Sequence, residues 1–144
     1  MTRLRTGKAE SGSVTVFFAV AAIGLFAMVG LVVDGGAKVK AIQRADRVAA
    51  EAARAAGQAI DVPAAIVGDD PVVRPGDAVA AAQAYLGASG LQGSVTVLDG
   101  GRRLQVRTTA DEQTIFLGLI GIHRLTGTGE AEVTLVRGVT GAGQ

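Results

Sequence analysis

The 144-residue chain contains no cysteine and no tryptophan, one histidine, three prolines and an aromatic share of 3%. Without cysteine there is no disulfide, no thiolate nucleophile and no zinc–thiolate site, and the redox compartment stays open. Charge of one sign is also missing. Fourteen basic side chains stand against 13 acidic ones, a net charge of +1, so no global field recruits nucleic acid. The scarcity of aromatics removes the stacking surfaces that single-stranded nucleic acid needs. The length fits one domain plus an appendage and excludes a large multidomain enzyme.

What is present is small. Alanine (26) and glycine (21) make up a third of the chain, a composition suited to close helix packing and turns rather than a bulky core. Three of the four Phe (Phe17, Phe18, Phe26) lie close together near the N-terminus. No charge falls between Glu10 and Asp34, and Val14–Val33 is apolar almost throughout. Twenty residues of helix measure about 30 Å, the thickness of a bilayer's hydrocarbon core. A signal peptide would have a shorter apolar region and an Ala-x-Ala-like site, so the run reads as a retained span. Arg3, Arg5 and Lys8 precede it, but Lys38, Lys40, Arg44 and Arg47 follow closely, and the positive-inside count nearly cancels. The short basic leader and Asp34 at the exit favour a C-terminal part outside the cytoplasm.

Within the span, Ala21, Gly24, Ala27 and Gly30 form a row of small side chains along which a neighbouring helix could approach. Asp34 is costly at a membrane boundary unless it reaches water or finds a partner, and Gly35-Gly36 permits a bend. Residues 37–60 are Ala-rich and free of Pro. Lys40, Arg44, Arg47, Glu51, Arg54 and Gln58 form a polar stripe, and Ala41, Ala45, Val48, Ala52, Ala55 and Ala59 an apolar seam. That seam predicts helix packing without naming what it packs on.

The expected organisation is a basic leader (1–12), a transmembrane helix (13–33), an amphipathic helix (34–60), a linker (61–77), a small α+β domain (78–137) and a tail (138–144). Pro63, Gly68, Asp69, Asp70, Pro71 and the Pro75-Gly76-Asp77 turn define the linker; its acids lack the spacing of a calcium loop. Asp77 is the expected N-cap of a helix through Val79, Tyr85 and Leu86, ending at Gly87 or Gly90. Strands follow at 94–98, 103–107 and 130–136, with a tight turn at Asp99-Gly100-Gly101. Arg103 and Arg107 complement Glu130 and Glu132, predicting neighbouring strands. Residues 111–122 read as a short helix whose apolar end covers the sheet. The fold class is therefore α+β: a long N-terminal helix, then a small helix and a three-stranded antiparallel sheet, pilin-like in outline.

No catalytic constellation emerges. His123 reads as a solvent-facing or capping residue, the four serines lie in no nucleophile context, and neither a cofactor nor a metal site is expected. At Gly12-Ser13-Val14-Thr15-Val16-Phe17-Phe18-Ala19, then Leu31-Val32-Val33-Asp34-Gly35-Gly36 and Gln43-Arg44-Ala45-Asp46-Arg47-Val48-Ala49-Ala50, the chain resembles tight-adherence (Tad) pilus assembly proteins. The TadG-like N-terminal module is nearest and TadE-like minor pseudopilins come next. The resemblance covers about residues 12–60. It implies a non-catalytic envelope component of a Tad/Flp pilus or secretion apparatus, with the lipid bilayer, other apparatus subunits or a second copy as partners, and no nucleic acid. A prepilin peptidase site would map to cleavage between Gly12 and Ser13. The group's Glu at the fifth mature position is Phe17 here, which agrees better with the TadG-like branch. A membrane-tethered ligand-binding or sensor module is the alternative, and a membrane-bound hydrolase a third reading.

Overall fold

The computed structural model describes residues 10–59 and 73–135. Residues 1–9 of the leader, most of the linker with Asp69 and Asp70, and the tail lie outside the described residues. Helix α1 spans Glu10–Gly57 without interruption, so the expected span and amphipathic helix are one element. It passes through Gly35 and Gly36 without breaking, and a Cβ at either would meet nothing within 4 Å. Nearly every side chain of its first half is exposed, including Phe17, Phe18, Phe26 and Leu31. The helix has the length and composition to cross a membrane.

Helix α2 covers Pro75–Ser89. Its start departs from the expected cap at Asp77: Arg74 is extended and Pro75 opens the helix, because proline has no N–H to lose there and its fixed φ suits the first turn. Asp77 lies in that first turn, where its charge opposes the helix dipole favourably. Gly90 ends the helix at φ 70°, a left-handed value cheap only for glycine. Ala78, Ala82 and Leu86, each one turn apart, are buried.

Strands β1 (Gln92–Leu98), β2 (Arg103–Gln113) and β3 (Arg124–Thr134) form an antiparallel sheet in the order β1-β2-β3. Asp99, Gly100 and Gly101 all take positive φ in the β1–β2 turn, as that dipeptide chemistry predicts. On the outer face, Arg103 Nη1 lies 2.9 Å from Glu132 and Arg107 Nη2 2.7 Å from Glu130. These pairs are half-exposed and so of modest value.

Two expectations need correcting. Residues 111–113 continue β2, pairing with Thr126, Leu125 and Arg124, so only Leu117–Ile120 remains as a single 3-10 turn. Ladder pairing overrides the acidic helix-start signal. The apolar stretch after it does not cover the sheet: Ile115, Leu119 and Ile120 are exposed. What covers the sheet's inner face is α1. A Cβ on Gly127 would lie 2.3 Å from the backbone of Ala41 and Ile42, and one on Gly129 2.2 Å from the backbone of Asp46. Neither glycine has positive φ; both are required for space.

The register of this contact follows from geometry. Two strand residues advance about 6.8 Å, and four helical residues advance about 6 Å, so Gly127 and Gly129 fall opposite Ala41 and Ala45. Buried Thr108 of β2 adds a hydrogen bond, its Oγ1 donating to Ala45 O at 2.7 Å. Further along, the core joins Ala49, Ala52, Ala53 and Ala56 of α1 to Ala78, Ala82 and Leu86 of α2, and to Leu104, Val106 and Leu135 of the sheet region.

Gly129→Val is therefore expected to destabilise the fold by about 3 kcal/mol through forced separation of helix and strand. Gly36→Ala, with open space around it, should be neutral or stabilise by up to about 1 kcal/mol. Thermal unfolding in detergent micelles compares the two, and equal effects would contradict the assigned contact. A second expectation concerns pH. Hydrogen bonding and charge from Arg103 hold the Asp99 carboxyl below its ordinary 3.8. A depressed carboxyl stabilises the fold above its unfolded value and loses that effect as pH falls through the folded one. The turn should thus loosen only under acid stronger than that value, and an Asp99 carboxyl NMR titration midpoint at or above 3.8 would refute the pairing.

Candidate functional site

The residues singled out in the sequence divide along α1 according to what lies beside them. Gly12, Ser13 and Phe17 occupy the first turns of the helix and are exposed; the Phe17 ring meets Phe18 edge-on at 5.9 Å. Ala21, Gly24 and Ala27 are also exposed. Gly30 differs: a Cβ there would sit 2.8 Å from Cγ of Phe116, so this end of the small-residue row is taken by the chain's own loop. Asp34 is buried, with Ala41, Ala45 and Ala52 fully buried and Val48 packed against the core. The lower part of the seam thus faces the chain's own sheet and α2.

Asp34 is the centre of this arrangement. It stands one turn after Gly30, on the same helix face. Its Oδ1 accepts the backbone N–H of Ile115 at 2.8 Å and its Oδ2 that of Leu117 at 2.6 Å, while the Phe116 ring between them fills the place of the missing Gly30 side chain. The carboxylate binds the amides that open the Leu117–Ile120 turn, where a helix-like N-terminus favours negative charge. Only 2% of Asp34 is exposed. A buried carboxylate without such donors would be prohibitively costly; with them it ties the β2–β3 hairpin tip to the end of the apolar stretch. Lys38, one turn further, donates from its ammonium to the carbonyl of Thr126, a second tie at the same level.

Sequence reasoning named Asp34 and Gly30 but missed their partners. Phe116 carried a signal, since it is the one Phe outside the N-terminal cluster and stands in an uncharged run. Gly127 and Gly129 carried another, since two glycines at alternate positions of a strand leave room on one face for a close backbone approach. His123 is exposed, and its carbonyl accepts the N–H of Thr114 at 3.1 Å. Among the described residues no group of three or more His, Cys, Asp or Glu side chains could hold a metal ion.

Residues 12–59 match the Tad family model, described as "Putative Flp pilus-assembly TadE/G-like". The match runs along α1 and ends before α2 and the sheet. This third of the chain is thus similar to that family, in agreement with the resemblance of its motifs. No curated protein and no solved structure matches the chain.

Replacing Asp34 with Ala leaves two backbone donors without their acceptor, a loss of about 1–3 kcal/mol for each buried group. Amide hydrogen exchange at Ile115 and Leu117 is expected to accelerate roughly 10- to 100-fold in micelles, with β1 amides unchanged. Unchanged exchange at both would show that the carboxylate does not hold the loop.

Proposed function

We propose that this protein is a single-pass, non-catalytic structural or assembly component of a Tad/Flp-type pilus or secretion apparatus. Its α1 N-terminal half lies in the membrane and the sheet domain stands outside the cytoplasm. The observation that carries this reading is the form of the family-matched segment. From Gly12 to Gly57 the matched segment is one uninterrupted helix, bare and apolar in its first half and packed against the domain in its second. An apparatus subunit needs a membrane helix with a face left for neighbours, and a domain held in fixed relation to it. Ala21 and Gly24 supply exposed small positions for helix contacts. Association would act through these positions with other apparatus subunits or a second copy. Phe17 at the fifth position after Gly12 favours the TadG-like role of an assembly or anchoring factor that keeps its leader.

Variants carrying a benzophenone side chain at Ala21 or Gly24, irradiated in native membranes, are expected to crosslink to another apparatus subunit or to a second copy. A chain that stays monomeric at both positions would sink the packing role and favour a tethered ligand-binding module. Mass spectrometry of the membrane-extracted protein is expected to find a terminus upstream of Ser13, and a Ser13 terminus would contradict the unprocessed role. Protease protection of a C-terminal tag in intact cells checks orientation: a tag that proves cytoplasmic overturns it.

A further inference from the structure

The loop joining β2 and β3 has an unusual surface for a hairpin tip. From Thr114 to Ile122 it carries no charge, yet Ile115 is 67%, Ile120 73% and Leu119 84% exposed. The Asp34 and Gly30 contacts turn this tip toward the apolar half of α1. Leu119 and Ile120 share an open groove of about 760 Å³ with Ile23, Phe26 and Ala27. Phe26 and Ala27 lie seven to eight residues before Asp34, or about 10–12 Å along the helix. The tip therefore stands at the depth of side chains that a bilayer would cover.

Two further observations point to lipid as the occupant. Six of the nine amides from Thr114 to Ile122 are paired within the protein. Those of Ile115 and Leu117 go to Asp34, and those of Thr114, Leu119, Gly121 and Ile122 to carbonyls of the loop itself. Backbone entering hydrocarbon must satisfy its polar groups within the protein, and this loop already meets most of that demand. The base of the loop carries three cations, Lys38 and Lys40 on α1 and Arg124 at the start of β3, against the acids Asp111 and Glu112 of β2. Apolar side chains at a tip with cations behind them make the pattern of a segment lying in the headgroup boundary, where such segments enter about 5–10 Å.

We infer that the loop Ile115–Ile122 is a second membrane element, inserted beside the span into the leaflet on the domain's side, with Ile115, Leu119 and Ile120 in the acyl boundary and Lys38, Lys40 and Arg124 at the phosphates. The inference rests on the reading of α1 as a span. In this arrangement Asp34 is shielded from lipid by the loop it binds.

The lack of native cysteine permits a direct test. Full-length Leu119→Cys, Val20→Cys and Thr96→Cys variants each receive a nitroxide and are reconstituted into phosphatidylcholine–phosphatidylglycerol vesicles. Collision with oxygen is compared with collision with a water-soluble nickel chelate. Leu119 is expected to behave like Val20, with oxygen favoured at least threefold over its ratio at Thr96. If Leu119 reads like Thr96 while Val20 reads lipid, the loop stands in water and the inference falls with the span intact. If Leu119 is shielded from both reagents while Val20 reads lipid, protein covers the loop and lipid is the wrong occupant. If Val20 itself reads like Thr96, the span reading fails and the loop inference with it.

Discussion

The structure depends on the meeting of two backbones with no side chain between them. At Gly127 and Gly129 the strand β3 lies directly on α1 at Ala41–Asp46, closer than any Cβ would allow. Because strand and helix rises nearly coincide over two and four residues, the contact fixes register as well as distance. Register in turn fixes how far the β2–β3 hairpin reaches along the helix, and so brings Ile115–Leu117 to Asp34. A strand shifted by two residues would leave Asp34 a buried carboxylate without donors, which low-dielectric surroundings do not tolerate.

Such a contact accounts for the composition. A domain whose central helix also runs on beyond it cannot bulge around large side chains on its inner face without pushing the sheet away. Alanine on the helix and glycine on the strand keep the layers close, and the few larger side chains, Leu104, Val106 and Leu135, gather where α2 closes the core. Thr108 reinforces the join by giving its hydroxyl proton to a helix carbonyl. A light core is adequate when close approach replaces bulk.

Much of this was legible in the chain. The uncharged stretch marked the apolar half of α1, and the Ala seam marked one edge of its buried face at Ala41, Ala45 and Ala52, while Ala49, Ala53 and Ala56 beside it are buried too. Arg103, Arg107, Glu130 and Glu132 announced the pairing of β2 with β3, and Asp99-Gly100-Gly101 the turn before it. Local signals failed where tertiary contact decides. Asp111-Glu112-Gln113 looks like a helix start but is held extended by β3. Gly35-Gly36 looks like a hinge but lies within the helix, between the ties that Asp34 and Lys38 make to the β2–β3 hairpin. Gly127 and Gly129 look like breakers and shorten the apparent strand, although their lack of side chains is what lets the strand pass under α1. The Asp34 site was half legible: a carboxylate at that place needs a partner, but no local pattern says that amides more than 80 residues away supply it.

The central claim is that one rigid helix serves both the apolar segment and the domain. Nitroxides at Val20 and Ala50, thirty residues apart on exposed positions of α1, should be separated by about 45 Å along a continuous helix. Double electron–electron resonance on the full chain in vesicles measures that distance directly. A narrow distribution near it is the expected result; a broad or clearly shorter one, as a bend at Gly35-Gly36 would give, contradicts the account.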